Sequence, residues 1–175
     1  PADCPGLTIR TLDNAIYRDS LEALGFRVVV TDPRELRRAL QSGEADGQEN
    51  PLTNIYSSKI HEITKYITLT GHKYEATPVA AGLGWWSGLD AATQGCLVEA
   101  TAEAGKLQRQ LPHDGDATLR PKMEAEGVTF VEGDQAAFVA ATASVYDKHA
   151  ATYPDLVAAL KKAADTARNR PRRWM

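Results

Sequence analysis

Cysteine, histidine and aromatic residues are scarce in this chain of 175 residues. The two cysteines, Cys4 and Cys96, are too few for a four-thiolate zinc site and too widely spaced for a CxxC redox pair. One disulfide is open to them. The simpler reading is two small side chains packing as hydrophobes. His61, His72, His113 and His149 are scattered, and none has a second His or Cys at metal-ligand spacing, so neither a metal nor a cofactor is expected. No apolar run reaches the roughly 20 residues needed to span a bilayer. Excess positive charge is missing too: 20 basic residues face 23 acidic ones, net −3, which argues against nucleic acid as the main partner. HExxH, GxSxG, GxGxxG and Walker motifs are all absent, and no acid–base pair stands out, so an enzyme is not expected. His113-Asp114 and Asp116, beside Pro112 and Gly115, read as a polar loop.

What is present is ordinary globular usage, 43% hydrophobic and 25% charged. A chain of this length buries about 70% of its unfolded surface, enough for a core without staples. Leu7–Leu12 (LTIRTL) predicts a short inner strand and Asn14–Leu24 a helix, capped at Asp13 or Asn14 and stopped by Gly25. Phe26–Val30 (FRVVV) predicts a buried strand. Pro33 opens the next helix at its first turn. Strand, helix, strand, helix at this spacing argues for α/β with parallel pairing. Asp46–Pro51 reads as a turn into a helix, with Asn50 as cap and Pro51 at the first helical position. Tyr66–Tyr74 predicts a strand, Pro78–Leu83 a weaker one, and Asp90 to about Gln110 a long helix. Pro112, Gly115 and Pro121 are expected to break or kink that helix. Val128–Val131 predicts a strand, Asp134 caps a helix to about Ala151, and a last helix runs from Asp155 to about Arg168. The basic tail 168–173 reads as a solvated terminus.

Two features point to binding. Arg10 lies mid-strand in LTIRTL, where a buried guanidinium is rare unless paired, and its planar fork matches a carboxylate. Taken alone, an internal salt bridge is the commoner explanation. Asn50-Pro51 marks a helix start, whose free N–H groups attract anions; taken alone, a plain cap is commoner there. Together they sit where open α/β sheets hold ligands, beyond the carboxyl ends of strands, and they suit an organic anion.

The runs GLTIR (6–10), ALQSGEADGQENP (39–51) and IYSSKIHEITKYITLTGHKY (55–74), then Trp85-Trp86, closely resemble one family. It is the solute-binding subunit of tripartite ATP-independent periplasmic (TRAP) transporters, dicarboxylate-binding type. The resemblance runs from about residue 1 to about residue 160. It implies an α/β, periplasmic-binding-protein-like lobe, a mixed sheet flanked by helices, with a long helix toward the C-terminus. It also implies capture of an organic acid in the periplasm and delivery to membrane permease subunits, without catalysis. Arg10 falls at the family's carboxylate-clamping arginine and Asn50 at the asparagine that assists it. Asp13 and Asn14 fall where the pocket is often lined, and Tyr74 is a weaker candidate of the same kind.

The departures are as informative. Family members run to about twice this length, so the chain resembles only their C-terminal half; it opens Pro1-Ala2-Asp3, without Met or a leader. Pro33 stands where the family often has an aromatic residue, and Pro112, Gly115 and Pro121 fall in its long interlobe helix. Three segments are expected on these grounds: a ligand-binding lobe over 1–84, an interlobe helical segment over 85–127 broken near Pro112 and Pro121, and a closing strand with C-terminal helices over 128–175. The competing expectation is a non-binding assembly domain that self-associates, as a homodimer, through surface its missing half would cover.

Overall fold

The computed structural model describes residues 1–73, 75 and 77–168, without the side chains of 112–114, 167 and 168. It is α/β and divides into two compact units, Pro1–Glu49 with Gly133–Met175, and Asn50–Glu132. This division differs from the three expected segments, since the boundary at 84 falls inside the second unit and the first unit is discontinuous in sequence.

In the first unit β1 (Thr8–Thr11) is the central strand, flanked by β2 (Arg27–Val30) and β3 (Gly47–Gln48). All pairings are parallel: Ile9 faces Val28 and Gly47, and Arg10 faces Val29 and Gln48. The short strand at Gly47-Gln48 lies where the sequence reads as a turn. Helix α1 (Ala15–Ala23) joins β1 to β2; Asn14 caps it by accepting from the amides of Ile16 and Tyr17. Gly25 then turns the chain at φ +95°, where a Cβ would come within 2.9 Å of the Pro5 Cγ. A single 3₁₀ turn at Pro33–Glu35, capped by the Asp32 side chain, leads into α2 (Leu36–Gln41). The expected buried strand over Phe26–Val30 proves to be an edge strand, only partly covered. The core gathers Cys4, Ile9, Leu21 and Leu24, with Phe26, Val28, Phe138 and Ala141 against them. Cys4 is buried, Cys96 is exposed, and both are free thiols.

The second unit holds α3 (Leu52–Ser57), a 3₁₀ turn (Ile60–Glu62), β4 (Tyr66–Leu69), α4 (Leu83–Ser87), α5 (Ala91–Ala125) and β5 (Thr129–Glu132). Strands β4 and β5 pair in parallel, Tyr66 to Thr129 through Leu69 to Glu132. Every pairing among the described residues is therefore parallel, where the resemblance implied a mixed sheet. The strand expected over 78–83 does not form. Residues 77–82 have no regular structure and are exposed, and no neighbouring strand supplies a ladder there. Helix α5 starts at Asp90, whose carboxylate caps the Thr93 amide, and continues through positions 112 and 121 as one helix of 35 residues. The break expected at the prolines is overridden. Gly115 is a point of close approach rather than an interruption: a Cβ there would lie 3.2 Å from Thr53 Cγ2 of α3, so α3 packs onto the helix where a larger residue would hold it off. At the far end of α5 the buried His61 ring stacks on Tyr56, centroids 4.8 Å apart, and its Nε2 lies 2.8 Å from Glu126 Oε2. Tyr56 donates its hydroxyl to the same carboxylate, and Lys65 donates to the Glu126 carbonyl. Met123, wholly buried, fills this end. No helix among the described residues is long and apolar enough to cross a membrane.

The chain then returns to the first unit. The single helix expected over 134–151 is α6 (Gln135–Ala141) and α7 (Ala143–Ala150), parted at Thr142, whose hydroxyl donates to the Phe138 carbonyl and competes with the helical ladder. Helix α8 (Pro154–Arg168) closes the described chain. Helix α7 is tied to α1 through Asp19, which accepts from Lys148 Nζ at 2.7 Å and lies 2.8 Å from His149 Nε2.

Both units offer a test of stability. Met123→Ala leaves a cavity in the closed end of the second unit and lowers unfolding free energy by about 2–5 kcal/mol in urea titrations. The Asp19 carboxyl is held below its usual range, first by the Lys148 hydrogen bond and then by His149. A depressed carboxyl stabilises the fold above its unfolded pKa, about 3.9, and that contribution is lost as pH falls through the folded value. Asp19→Asn is therefore expected to lower Tm at pH 7 and to flatten the fall of Tm below pH 4, read by thermal melts across pH.

Candidate functional site

The three parallel strands of the first unit end at one edge. The residues just past those ends are Leu12 to Asn14 after β1, Thr31 and Asp32 after β2, and Glu49 after β3. In open α/β sheets this carboxyl edge is where ligands are held. Arg10, on the central strand, is only 2% exposed, as a buried inner strand requires. Its Nε donates to Thr31 Oγ1 at 2.9 Å, and its Nη2 donates to the Thr31 carbonyl. Among the described residues these are its only side-chain hydrogen bonds, and no carboxylate pairs with it directly. The internal salt bridge that would have explained a buried arginine is not there.

That outcome has an electrostatic consequence. Burial pushes the Arg10 guanidinium below its ordinary value, and the nearby Glu49 and Asp32 carboxylates oppose the shift through space. An arginine stays protonated through such a change, so the centre of the sheet carries a desolvated, fixed positive charge. Among the described residues no polar side-chain atom is both buried and without a partner. Nη1, which makes no hydrogen bond, therefore keeps at least a slight contact with solvent. A carboxylate arriving there would meet a charged, planar donor already stripped of most of its water.

The other sequence candidates are placed differently. Asp13 is exposed and pairs with Arg18 Nη1 at 2.6 Å. The Asn14 side-chain Oδ1 is occupied capping α1. Asn50 opens the second unit, and its Oδ1 accepts from Asn54 Nδ2 at 3.5 Å. It is not the cap of α3: Pro51 holds that position, without a side-chain cap bond, and the helix is six residues long. The anion-attracting helix start expected at Asn50-Pro51 is thus too short to matter. Tyr74 lies outside the described residues. Three participants escaped the sequence reading. Thr31 docks the guanidinium. Thr11, fully buried, donates its hydroxyl to Glu49 Oε1 at 2.9 Å, and Glu49 in turn sits in the field of Arg10. The only signal for them was position, each lying at or just past a strand end.

A model of the bacterial extracellular solute-binding protein family 7 (DctP) matches residues 1–152. The chain belongs to that family. A family relative from Verminephrobacter eiseniae, named as a solute-binding protein, is 36% identical over 149 residues, covering 83% of this chain and 44% of its own. A TRAP periplasmic solute-binding protein from Pseudomonas putida F1, solved with bound D-glucuronate, superposes with a TM-score of 0.84 at 32% identity, over 91% of this chain and 52% of its own. Another from Polaromonas sp. JS666, bound to D-erythronate, gives 0.83 at 32% identity, over 90% and 52%. The chain thus spans about half the length of the family members it matches. The α/β lobe and the long helix implied by the resemblance are those of this family.

An unpaired buried charge is a cost to folding that an apolar side chain of similar volume avoids. Arg10→Met is expected to unfold at the same urea concentration as the parent chain or a higher one. A fall in midpoint would mean that Arg10 is a structural residue.

Proposed function

We propose that this chain is the carboxylate-gripping part of a TRAP solute-binding protein, and that it captures an organic acid without chemical change. The observation that carries the reading is Arg10: buried, charged, docked on Thr31, lacking a carboxylate partner among the described residues, and with Nη1 left without a hydrogen bond. A ligand carboxylate takes the Nη1 and remaining Nη2 protons as a bidentate pair, strong because the donor is already desolvated. Asn50 is assigned to the same carboxylate by family resemblance, with Asp13, Asn14 and Tyr74 as lining positions. In the whole protein the captured acid passes in the periplasm to membrane permease subunits.

The ligand class follows from charge. Glu49 and Asp32 already share the field of Arg10, so a second anionic group on the ligand is repelled in this unit. A monocarboxylate rich in hydroxyls fits better than a dicarboxylate. The structural relatives solved with D-glucuronate and D-erythronate support that class. Isothermal titration of the 175-residue chain with D-glucuronate, D-erythronate and succinate tests it. The sugar acids are expected to bind more tightly than succinate. Arg10→Ala is expected to lose about 2–5 kcal/mol of that binding, as for a desolvated charge pair. Equal binding by Arg10→Ala would overturn the assignment.

A further inference from the structure

We infer that Thr31 is the positioning residue of this site: it aims the Arg10 guanidinium at the ligand. The inference rests on the carboxylate-binding role proposed for Arg10. A guanidinium offers five N–H donors in a rigid plane, with a side edge (Nε and Nη2) and an end edge (Nη1 and Nη2). Thr31 takes the whole side edge by itself, Nε on its hydroxyl and Nη2 on its own carbonyl. Two bonds from one residue fix both the location and the plane of the group. They leave the end edge as the approach for a carboxylate.

The sheet explains why this residue can do so. Val30, the last residue of β2, pairs with Thr11, next to Arg10 on β1. Thr31 comes directly after it, so its backbone is set by the strand register rather than by a free loop. It is half-buried, and its branched β-carbon stiffens χ1, so the hydroxyl is held where Nε needs it. The neighbouring acidic groups do not substitute for it. Asp32 accepts from the Arg34 amide and side chain, and Glu49 accepts from Thr11. Each acts on Arg10 through space and leaves its direction undetermined. Any residue at position 31 supplies the carbonyl; only Ser or Thr supplies the hydroxyl. Thr31→Val therefore removes one of the two anchors at almost constant volume.

The test compares Thr31→Val, Thr31→Ser and Arg10→Lys in the 175-residue chain, with D-glucuronate and D-erythronate as probes by isothermal titration. Loss of a hydrogen bond to a charged group predicts that Thr31→Val binds about tenfold more weakly or worse, while Thr31→Ser stays within about threefold of the parent. A ligand-free readout accompanies it. In ¹⁵N-edited spectra, the Nε–H resonance lost in Arg10→Lys is expected to exchange slowly with water in the parent and in Thr31→Ser, and to broaden or vanish in Thr31→Val. Unchanged binding by Thr31→Val, where Arg10→Lys has lost it, overturns the positioning role and leaves the carboxylate reading standing. Equal weakening by Thr31→Ser and Thr31→Val also overturns it, since the hydroxyl would then not matter. Undiminished binding by Arg10→Lys, or no binding of either probe by the parent chain, removes the carboxylate reading and this inference with it.

Discussion

The positive charge at the centre of the first unit is the constraint around which the rest of that unit is arranged. Arg10 belongs to the middle strand of a parallel sheet, and nearly all of its side chain is out of water. Proteins that bury a guanidinium for stability give it a carboxylate, and here the nearest ones remain unbonded to it. Thr31 supplies dipoles instead of a counter-charge. Glu49, fixed by Thr11, and Asp32, fixed at the next turn, temper the field from a distance. Such an arrangement leaves the charge without a direct counter-charge among the described residues.

Much of this was legible because it depends on local chemistry. Arg10 between Ile9 and Thr11 declared an inner strand with a misplaced charge, and the strand is inner. Asn14, Asp90 and Asp134 announced helix starts through short polar side chains, and each accepts the backbone amide bond expected of a cap. Gly25 marked the turn that its left-handed backbone makes. What stayed hidden depends on partners remote in sequence. Gly47-Gln48 carries no strand propensity and becomes a strand only because Ile9 and Arg10 present a free edge. Gly115 and the prolines looked like helix breakers until α3 was seen packed along α5, where the contact with Thr53 makes the missing side chain an advantage. Thr31 looked like the polar end of FRVVV. Its role needs the guanidinium of a residue 21 positions earlier.

The second unit is organised on a different principle. It has one long helix for a spine, and its shorter pieces are fastened to it at several places, two of them in contrasting ways. Past its middle the fastening is steric, α3 against Gly115. Just beyond its last turn the fastening is polar, with Glu126 receiving Tyr56 and His61 and its carbonyl receiving Lys65. Helix propensity alone would have stopped this spine at position 112; it runs on as one helix of 35 residues, with α3 packed on it at Gly115.

The second unit is a continuous stretch, Asn50–Glu132, interposed between the two parts of the first. That order sets a schedule for folding during synthesis. The strands bearing Arg10 leave the ribosome ahead of the interposed stretch, yet their core is unfinished. Cys4, Ile9, Leu21 and Leu24 await Phe138 and Ala141, and Asp19 awaits Lys148 and His149, all translated after it. The interposed stretch has every residue it needs as soon as β5 emerges. The unit that begins second is therefore the one able to mature first, and the sheet that holds Arg10 is completed only once α6 and α7 have come out to cover it.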